Sequence, residues 1–284
     1  MVVQLFAVTT RGAQALSVPA STKAVHEVFD GLPLGVYSAL RTFDHVRFLG
    51  LEHHFERTDR SLELLGRAES LDRPALARAL DEAVRGYPGP EALVRFDVLA
   101  DAPRALGTEE RTLIALSPFV PVPAPYLRDG VAVRVSSLKR ARPLIKLASF
   151  VLERRPYPLG RPEAYEHLIV DEERRILEGT SSNFLGVRGR RLHLTGEEAL
   201  QGVTQRIVAE LAGRLGLECV RESLRCSELA EVDEAFLTSS SRGIVPVVAI
   251  EGERIGTGTP GPWTRKLTAA YYEHARAHAR PALG

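Results

Sequence analysis

Residues 141–152 read ARPLIKLASFVL, a run that is otherwise almost wholly apolar and encloses one lysine, Lys146. Only four of the 37 basic residues in the chain are lysines, so a position that needs positive charge alone is usually an arginine here. A buried amine, unlike a guanidinium, can lose its proton and act as a nucleophile. Lys146 is therefore a candidate reactive amine, on a helix predicted over residues 144–153. The alternative, commoner for a lone lysine, is a stem packed along apolar neighbours with its amine in water.

A second candidate lies downstream in residues 176–187, ILEGTSSNFLGV. Glu178 interrupts an apolar strand and is followed by Gly179 and by four polar residues, 180–183. A carboxylate fixed on a rigid strand could hold a protonated ring nitrogen, as the pyridine of a cofactor requires. The alternative is a strand end that leads into a hairpin turn, with Glu178 exposed to water.

Two further stretches carry groups that bind anions. In LQGVTQRIV, residues 200–208, Gly202 and Val203 lead into Thr204 at a predicted helix start. An N-cap role explains Thr204, but free backbone N–H groups and the helix dipole also make such a start a phosphate site. Four hydroxyl residues, 238–241, end a strand in LTSSSRGIVPV and form either a solvated turn or a set of hydrogen-bond donors to an anion.

A positively charged residue that could bind the same phosphate is expected on the first helix, which is predicted over residues 51–65. His54, Arg57 and Ser61 follow the spacing i, i+3 and i+7, which places them on one helix face. Arg57 is the candidate phosphate ligand of this face. The sequence offers no metal site, because consecutive residues 52–54 (EHH) point in different directions and no HExxH or CxxC spacing occurs.

Strands and helices are interleaved along the chain, which indicates a mixed α/β (α+β) fold. Pro121, Pro123 and Pro125 alternate in a segment that they stiffen and prevent from pairing regularly. We predict a smaller N-terminal α/β domain over residues 1–120, a linker over 121–129 and a larger C-terminal α/β domain over 130–284 that carries the lysine.

Composition excludes several classes of partner. The formal charge is only +1 and the arginines are dispersed among acids, so nucleic acid is not an expected partner. Two cysteines and the lack of a basic start followed by an apolar core indicate a reduced, cytoplasmic protein. No apolar run approaches the roughly 20 residues that a bilayer-spanning helix needs, so no membrane insertion is expected.

Six motifs in order resemble the class IV aminotransferases, the fold-type IV pyridoxal-phosphate enzymes. The motifs are GVYSALR, HFER, IK, LEGTSSN, QGVT and LTSSS followed by VPV. This family includes branched-chain and D-amino-acid aminotransferases, amine transaminases and aminodeoxychorismate lyases. The resemblance runs from residue 35 to the C-terminus, and it implies a two-domain fold, pyridoxal 5'-phosphate as cofactor and a homodimer.

The resemblance also implies roles for individual residues. Lys146 would form the Schiff base with the cofactor and shuttle the substrate proton, and Glu178 would pair with the ring nitrogen. The phosphate would be held by Arg57, Val203, Thr204 and Ser240. Substrate contacts would come from Tyr37, Arg41, Arg95 and Ser241, because two of these can pair with carboxylate oxygens.

The expected activity is transfer of an amino group between an amino acid and a 2-oxo acid in two half-reactions. An aminodeoxychorismate lyase, which eliminates pyruvate with the same lysine and cofactor, is the alternative, and a non-catalytic scaffold of the same fold ranks below both. Val151 stands where branched-chain enzymes carry tyrosine, whereas Arg95 resembles an arginine of those enzymes. Ser38 stands where many relatives carry glutamate. The substrate side chain and its stereochemistry are left open.

Overall fold

A computed structural model describes residues 3–161 and 163–284, and the chain divides into two compact units. The first unit comprises Met1–Val120, Ile145–Leu152 and Ala275–Gly284. The second comprises Pro121–Leu144 and Glu153–His274. The segment that carries Lys146 thus belongs to the first unit, whereas the sequence analysis assigned it to the C-terminal domain. Which segments fold independently as domains stays a prediction.

The first unit is built on a seven-stranded sheet whose paired strands are all antiparallel. Its strands are β1 (Gln4–Thr9), β2 (Gly12–Leu16), β3 (Val36–Phe43), β4 (Arg47–Phe48), β5 (Ala92–Val98), β6 (Thr112–Pro118) and β16 (Arg280–Pro281). They lie in the order β16-β4-β3-β5-β6-β1-β2. Strands β3 and β4 form a hairpin. Its turn residues Asp44 and His45 both have positive φ, as a tight hairpin requires.

Two amphipathic helices, α1 (Leu51–Leu64) and α2 (Arg73–Arg85), supply much of the core of this unit. Their buried side chains include Phe55, Leu62, Leu76 and Leu80. The Phe55 ring meets the Phe96 ring of β5 edge-on, with 6.0 Å between the centroids. Because apolar residues recur every three or four positions in both helices, one face of each is buried.

The second unit is built on a mixed nine-stranded sheet. Its strands are β7 (Val131–Val135), β8 (His167–Val170), β9 (Ile176–Gly179), β10 (Asn183–Arg188), β11 (Arg191–His193), β12 (Glu218–Val220), β13 (Glu234–Ser239), β14 (Gly243–Ile250) and β15 (Glu253–Arg254). The order is β12-β11-β10-β13-β14-β7-β8-β9, with β15 paired to β14. Parallel pairs join β7 to β8 and to β14. This strand order brings residues that are distant in the sequence side by side.

The described residues also form the α-helices α3 (Ala124–Asp129), α4 (Phe150–Glu153), α5 (Val203–Arg214) and α6 (Pro262–His278). Helix α3 occupies part of the segment predicted as a linker. Its prolines do not prevent a helix, because Pro123 precedes the first turn and Pro125 lies within it, where no backbone N–H is needed. Among the residues that the structure describes, no helix is long and apolar enough to cross a membrane.

The helix predicted over residues 144–153 is wrong, because only Phe150–Glu153 is helical. The Lys146 segment pairs instead with the start of β3. Tyr37 N donates to Lys146 O at 3.0 Å, and Ala148 N donates to Gly35 O at 2.9 Å. These bonds satisfy part of the backbone of the lysine segment, which is irregular apart from one β-bridge between Val36 and Leu147, so its apolar run reflects burial and not helical periodicity.

Candidate active site

Lys146 lies beside an aromatic ring and a small apolar cluster of the first unit. Its Nζ is 5.0 Å from the centroid of the Tyr37 ring. Tyr37, Ala148 and Val151 pack together, and all three side chains are buried. The lysine itself is half-buried. The amine therefore lies between an aromatic ring and aliphatic side chains on the first unit's side of the lysine.

His54, Arg57 and Ser61 share one face of α1, as their spacing predicts. This face contacts the lysine segment. Arg57 Nη2 donates to Ser38 Oγ at 2.8 Å and to His54 Nδ1 at 3.3 Å. Ser61 Oγ donates to Arg57 O at 2.9 Å and accepts from Lys146 N at 3.3 Å. The orientation of Arg57 and the backbone of Lys146 are therefore fixed by neighbouring residues of one helix.

His54 supports this arrangement as a neutral ring. Burial lowers the pKa of His54 well below its ordinary value, and the charges of Arg57 and Lys146 lower it further. Its Nδ1 accepts the hydrogen bond from Arg57 and lies 2.8 Å from Ser38 Oγ, so the proton of the neutral ring is on Nε2. Nε2 has no hydrogen-bond partner among the described residues.

In the second unit, Glu178 lies on β9 with only 3% of its surface exposed. The alternative of an exposed strand end is therefore wrong. Arg140 Nη1 donates to Glu178 Oε1 at 2.8 Å, and both side chains are buried. A buried carboxylate needs such compensation to stay charged. The sequence analysis missed Arg140, whose position in a run of basic residues gave no sign of a buried partner.

The N-cap of α5 is not the residue that the sequence suggests. Its N-cap is Gly202, and no side chain caps the helix, so Thr204 is not the cap but a residue of the first turn. The Thr204 hydroxyl lies 3.3 Å from Ser240 Oγ. A Cβ added at Gly202 would be 1.9 Å from Asn183 Oδ1. Glycine is therefore required here, and the uncapped N–H groups of the first turn suit an anion.

Buried hydroxyl groups without partners lie in the turn between β9 and β10 and on β13. Thr180 Oγ1, Ser182 Oγ and Thr238 Oγ1 have no hydrogen-bond partner among the described residues. Thr238 is directly opposite Asn183 in the β10–β13 pair. Because a buried hydroxyl normally finds a partner, this part of the second unit has the character of a site for a polar ligand.

A second network missed from the sequence joins the turn after β9 to the turn after β13. Arg242 Nη1 donates to Glu166 Oε2 at 2.8 Å, and Arg242 Nη2 donates to Ser181 Oγ at 2.6 Å. Burial alone would raise the pKa of Glu166, but the charge of Arg242 and hydrogen bonds from Ser181 lower it below its ordinary value. The network fixes both turns, including the one that contains Ser240.

The residues predicted to bind substrate have partners of their own in the structure. Arg95 forms two hydrogen bonds with Asp97, and Arg41 pairs with Glu91. Tyr37 is buried beside Lys146. Ser241 lies half-buried in the turn between β13 and β14. The structure thus brings Tyr37 and Arg95 together in the first unit, and their roles toward substrate stay predictions.

The sequence of the chain matches a known protein family. The family model for class IV amino-transferases matches residues 35–250. The chain belongs to the class IV aminotransferases. A branched-chain-amino-acid aminotransferase of Pseudomonas aeruginosa is 25% identical over 84% of this chain and 83% of its own length. A D-alanine aminotransferase of Staphylococcus epidermidis is 24% identical over 86% of this chain and 89% of its own.

The fold matches solved structures over nearly its full length. The branched-chain aminotransferase of Thermoproteus uzoniensis with norvaline superimposes with a TM-score of 0.74 at 21% identity, over 98% of this chain and 99% of its own. Another branched-chain amino acid aminotransferase, solved with pyridoxamine 5'-phosphate, gives a TM-score of 0.78 at 20% identity over 98% of each chain. The predicted fold-type IV architecture is confirmed. The protein is a class IV, pyridoxal-phosphate-dependent aminotransferase, and nothing in these comparisons favours the lyase alternative.

Proposed function

We propose that Lys146 is the residue whose amine reacts in this aminotransferase and moves the substrate proton. The observation that carries the proposal is the position of its Nζ beside the Tyr37 ring, with the Lys146 backbone tied to β3 and to Ser61. A fixed backbone limits where the amine can reach. As a neutral amine, Nζ would take the proton from the substrate Cα and pass it to the cofactor carbon within the same half-reaction, and the second half-reaction would run this transfer in reverse.

The residues of the chain fit pyridoxal phosphate on three counts. The uncapped start of α5 and the unpartnered hydroxyls of the second unit suit a phosphate and other polar groups. The buried Glu178, compensated by Arg140, suits a protonated ring nitrogen. Arg57, held by Ser38 and His54, offers a fixed cation. Pyridoxal phosphate, when bound, supplies the electron sink for cleavage of a bond at the substrate Cα.

We therefore assign the phosphate to Arg57, Val203, Thr204 and Ser240, and the ring nitrogen to Glu178. Arg57 donates to phosphate oxygens as a fixed fork, which adds orientation as well as charge. Val203 and Thr204 contribute backbone N–H groups, and the hydroxyls of Thr204 and Ser240 add donors. Glu178 would pair with the ring nitrogen, which would strengthen the electron sink that the cofactor supplies.

Replacement of the lysine tests the proposal. Lys146→Ala should abolish the half-reaction, because no other group is proposed to move the proton, and should also abolish the visible absorption that appears when pyridoxal phosphate binds to a lysine. Lys23→Ala, which removes an exposed lysine of the same unit, should change neither. Retained turnover in Lys146→Ala would show that the role is assigned to the wrong residue.

The two halves of the transfer can be observed separately. An amino donor added without acceptor should convert the bound cofactor completely to the amine form, and a 2-oxo acid added afterwards should restore the visible absorption. A lyase would regain its starting spectrum after each turnover, and a scaffold would not respond to any donor.

We also propose that the protein acts as a cytoplasmic homodimer, as its family resemblance implies. Both cysteines are free thiols in the structure, which is compatible with a reducing compartment. Analytical ultracentrifugation of the protein loaded with cofactor should give a mass of twice 31.2 kDa. A monomer at working concentration would contradict this part of the proposal.

A further inference from the structure

Ser38, His54 and Arg57 meet on the side of the first sheet that α1 covers. Ser38 lies on β3 opposite Phe96 of β5, and residues opposite each other on paired strands extend to the same face. The Phe96 ring packs edge-on against Phe55 of α1, so the Ser38 side chain extends toward that helix. His54 and Arg57 are three residues apart on α1 and therefore lie on one helix face. One strand and one helix of the same unit thus bring the three polar side chains together.

The three side chains form a closed set of contacts. Arg57 Nη2 is 2.8 Å from Ser38 Oγ and 3.3 Å from His54 Nδ1, and Ser38 Oγ is 2.8 Å from His54 Nδ1. Ser38 and His54 are both 0% exposed, so bulk water does not compete for these atoms. The position of Nη2 is therefore fixed by two neighbours at once, one from the strand and one from the helix.

The chemistry of the three groups sets the direction of each hydrogen bond. A guanidinium has donors and no acceptor, so Arg57 donates to both Ser38 Oγ and His54 Nδ1. Nδ1 must then carry a lone pair, and the Ser38 hydroxyl can direct its own hydrogen to it. The Ser38 oxygen is left with lone pairs for the Arg57 N–H. A proton on Nδ1 would instead oppose that N–H and would use the Ser38 oxygen as its acceptor.

His54 can serve as an acceptor because its ring is neutral. Burial lowers the pKa of His54 well below its ordinary value, and the charges of Arg57 and Lys146 lower it further. Nε2, which carries the ring proton, has no hydrogen-bond partner among the described residues. Within the described part of the chain, the hydrogen bonds of the ring are therefore those at Nδ1. An apolar residue of similar size would remove these contacts and leave the packing of the ring largely in place.

Uncharged partners hold the Arg57 guanidinium without cancelling its charge. Neither the Ser38 hydroxyl nor the neutral His54 ring brings a negative charge to the arginine. Hydrogen bonds from a charged donor are stronger than those between neutral groups, and linked hydrogen bonds in a buried site strengthen one another. A guanidinium oriented in this way binds an anion more tightly than a mobile one, because less side-chain freedom is lost on binding.

We propose that His54 is a positioning residue for the cofactor: its uncharged Nδ1 orients the Ser38 hydroxyl, and the two acceptors together hold Arg57 in the orientation that binds the phosphate of pyridoxal phosphate. This inference rests on the proposed function, which makes Arg57 a phosphate ligand. It assigns to His54 no contact with the cofactor or the substrate, because the ring acts through Arg57. The contribution of His54 should therefore appear only with a ligand that carries the phosphate.

The first test compares two ligands that differ in the phosphate. Full-length protein, freed of cofactor by conversion to the amine form and dialysis, is titrated at equilibrium with pyridoxal phosphate. It is titrated separately with pyridoxal, which has the same ring and aldehyde but a hydroxyl in place of the phosphate. The ratio of the pyridoxal dissociation constant to that of pyridoxal phosphate measures what the phosphate contributes. Arg57→Gln should lower this ratio about tenfold or more, because a charged hydrogen-bond donor is lost.

The second test removes the acceptor at Nδ1. His54→Leu keeps much of the buried volume but has no polar atom, so Arg57 loses one partner and the Ser38 hydroxyl loses its acceptor. We expect the ratio to fall about fivefold or more, while the dissociation constant for pyridoxal stays unchanged. His54→Asn, whose side-chain oxygen can accept a hydrogen bond near the place of Nδ1, should restore much of the ratio. His53→Leu, at the partly exposed neighbouring position that contacts Glu56, is the matched control and should leave the ratio unchanged.

Two further variants separate positioning from packing. In Arg57→Gln/His54→Leu the ratio should equal that of Arg57→Gln alone, because His54 acts through the arginine. Ser38→Ala removes the other acceptor of Nη2 and should lower the ratio in the same direction as His54→Leu, also without an effect on pyridoxal.

Each outcome supports or overturns the inference. An unchanged ratio in folded His54→Leu would overturn it while the proposed function stands. An equal loss of affinity for both ligands would also overturn it, because the ring would then only pack. If His54→Leu does not fold, Ser38→Ala decides, and an unchanged ratio in that variant overturns the inference. An unchanged ratio in Arg57→Gln would instead contradict the phosphate role that the proposed function gives to Arg57.

Discussion

Asp97 of the first unit and Glu166 of the second are both 0% exposed, and both pair with an arginine. Asp97 receives its arginine from two positions away on the same strand, whereas Glu166 receives Arg242 from 76 positions away. Glu166 Oε1 also accepts hydrogen bonds from the backbone and the hydroxyl of Ser181. Among the described residues, the hydrogen bonds to the Asp97 carboxylate come from Arg95.

This difference in donors sets the sign of the pKa shift. Burial raises the pKa of Asp97 above its ordinary value, and the charge and hydrogen bonds of Arg95 offset only part of that rise. Burial acts in the same direction on Glu166, but Arg242 and Ser181 together lower the pKa below its ordinary value. One arginine is therefore not enough to stabilise the charged form of a buried carboxylate. The additional hydrogen-bond donors from Ser181 make the difference for Glu166.

The largest expected effect tests the long-range network. Glu166→Gln leaves Arg242 buried without a carboxylate, and we expect the free energy of unfolding to fall by about 3–5 kcal/mol. Urea unfolding followed by circular dichroism measures the change. Asp129→Asn, which breaks an exposed pair, should have little effect. A loss for Glu166→Gln no greater than that of this control would show that the network does not stabilise the second unit.

A second variant tests another contact between distant turns of that unit. Gly202→Ala would place a Cβ 1.9 Å from Asn183 Oδ1, and the repacking should cost about 1–3 kcal/mol. It should also weaken the apparent affinity for pyridoxal phosphate, because Gly202 is the N-cap of the proposed phosphate helix. Gly213→Ala is the matched control in the same helix, where an added Cβ meets nothing within 4 Å.

The control should keep its affinity for the cofactor and become up to about 1 kcal/mol more stable, because alanine is the better helix former. Equal effects of the two alanines on unfolding and on affinity would mean that Asn183 moves aside and that the start of α5 is not a tight fit. Equilibrium titration with pyridoxal phosphate and urea unfolding provide the two measurements.

The two carboxylates also differ in how far their ion pairs can be predicted from the sequence. The pair of Asp97 is close in the sequence and the pair of Glu166 is distant. The strand pattern LVRFDV places Arg95 and Asp97 on one face, since alternate residues of a strand share a side. Lys146 and Glu178 stand out because each interrupts an apolar run. The strand that carries Glu178 follows from the sequence pattern as well. The irregular conformation of the lysine segment does not, because a short apolar run indicates burial without specifying a helix, a strand or a loop.

Glu166 and Arg140 could not be found in this way. Each pairs with a residue 76 or 38 positions away, so the contact depends on the order of strands in the second sheet. In the sequence, Glu166 precedes an apolar strand and Arg140 lies in a basic run, positions that are typical of exposed residues. Burial of such charges is decided by tertiary structure, and a single sequence does not contain that information directly.

The smallest expected effect is a pH dependence of opposite sign for the two carboxylates. The pKa of Glu166 is lowered on folding, so its contribution to stability is complete above its unfolded value near 4.5 and is lost as the pH falls through the folded value. The pKa of Asp97 is raised on folding, so its contribution is complete below its unfolded value near 3.8 and is lost as the pH rises through the folded value.

Urea unfolding at a series of pH values from acid to neutral should separate the two groups. The difference in stability between the unchanged protein and Glu166→Gln should shrink as the pH falls below about 4.5, because the carboxylate that the variant lacks is then protonated. The difference between the unchanged protein and Asp97→Asn should instead grow as the pH falls. Burial and one arginine are common to both carboxylates. If the stability difference changed with pH in the same direction for both variants, the hydrogen-bond donors around each carboxylate would not determine the direction of its pKa shift.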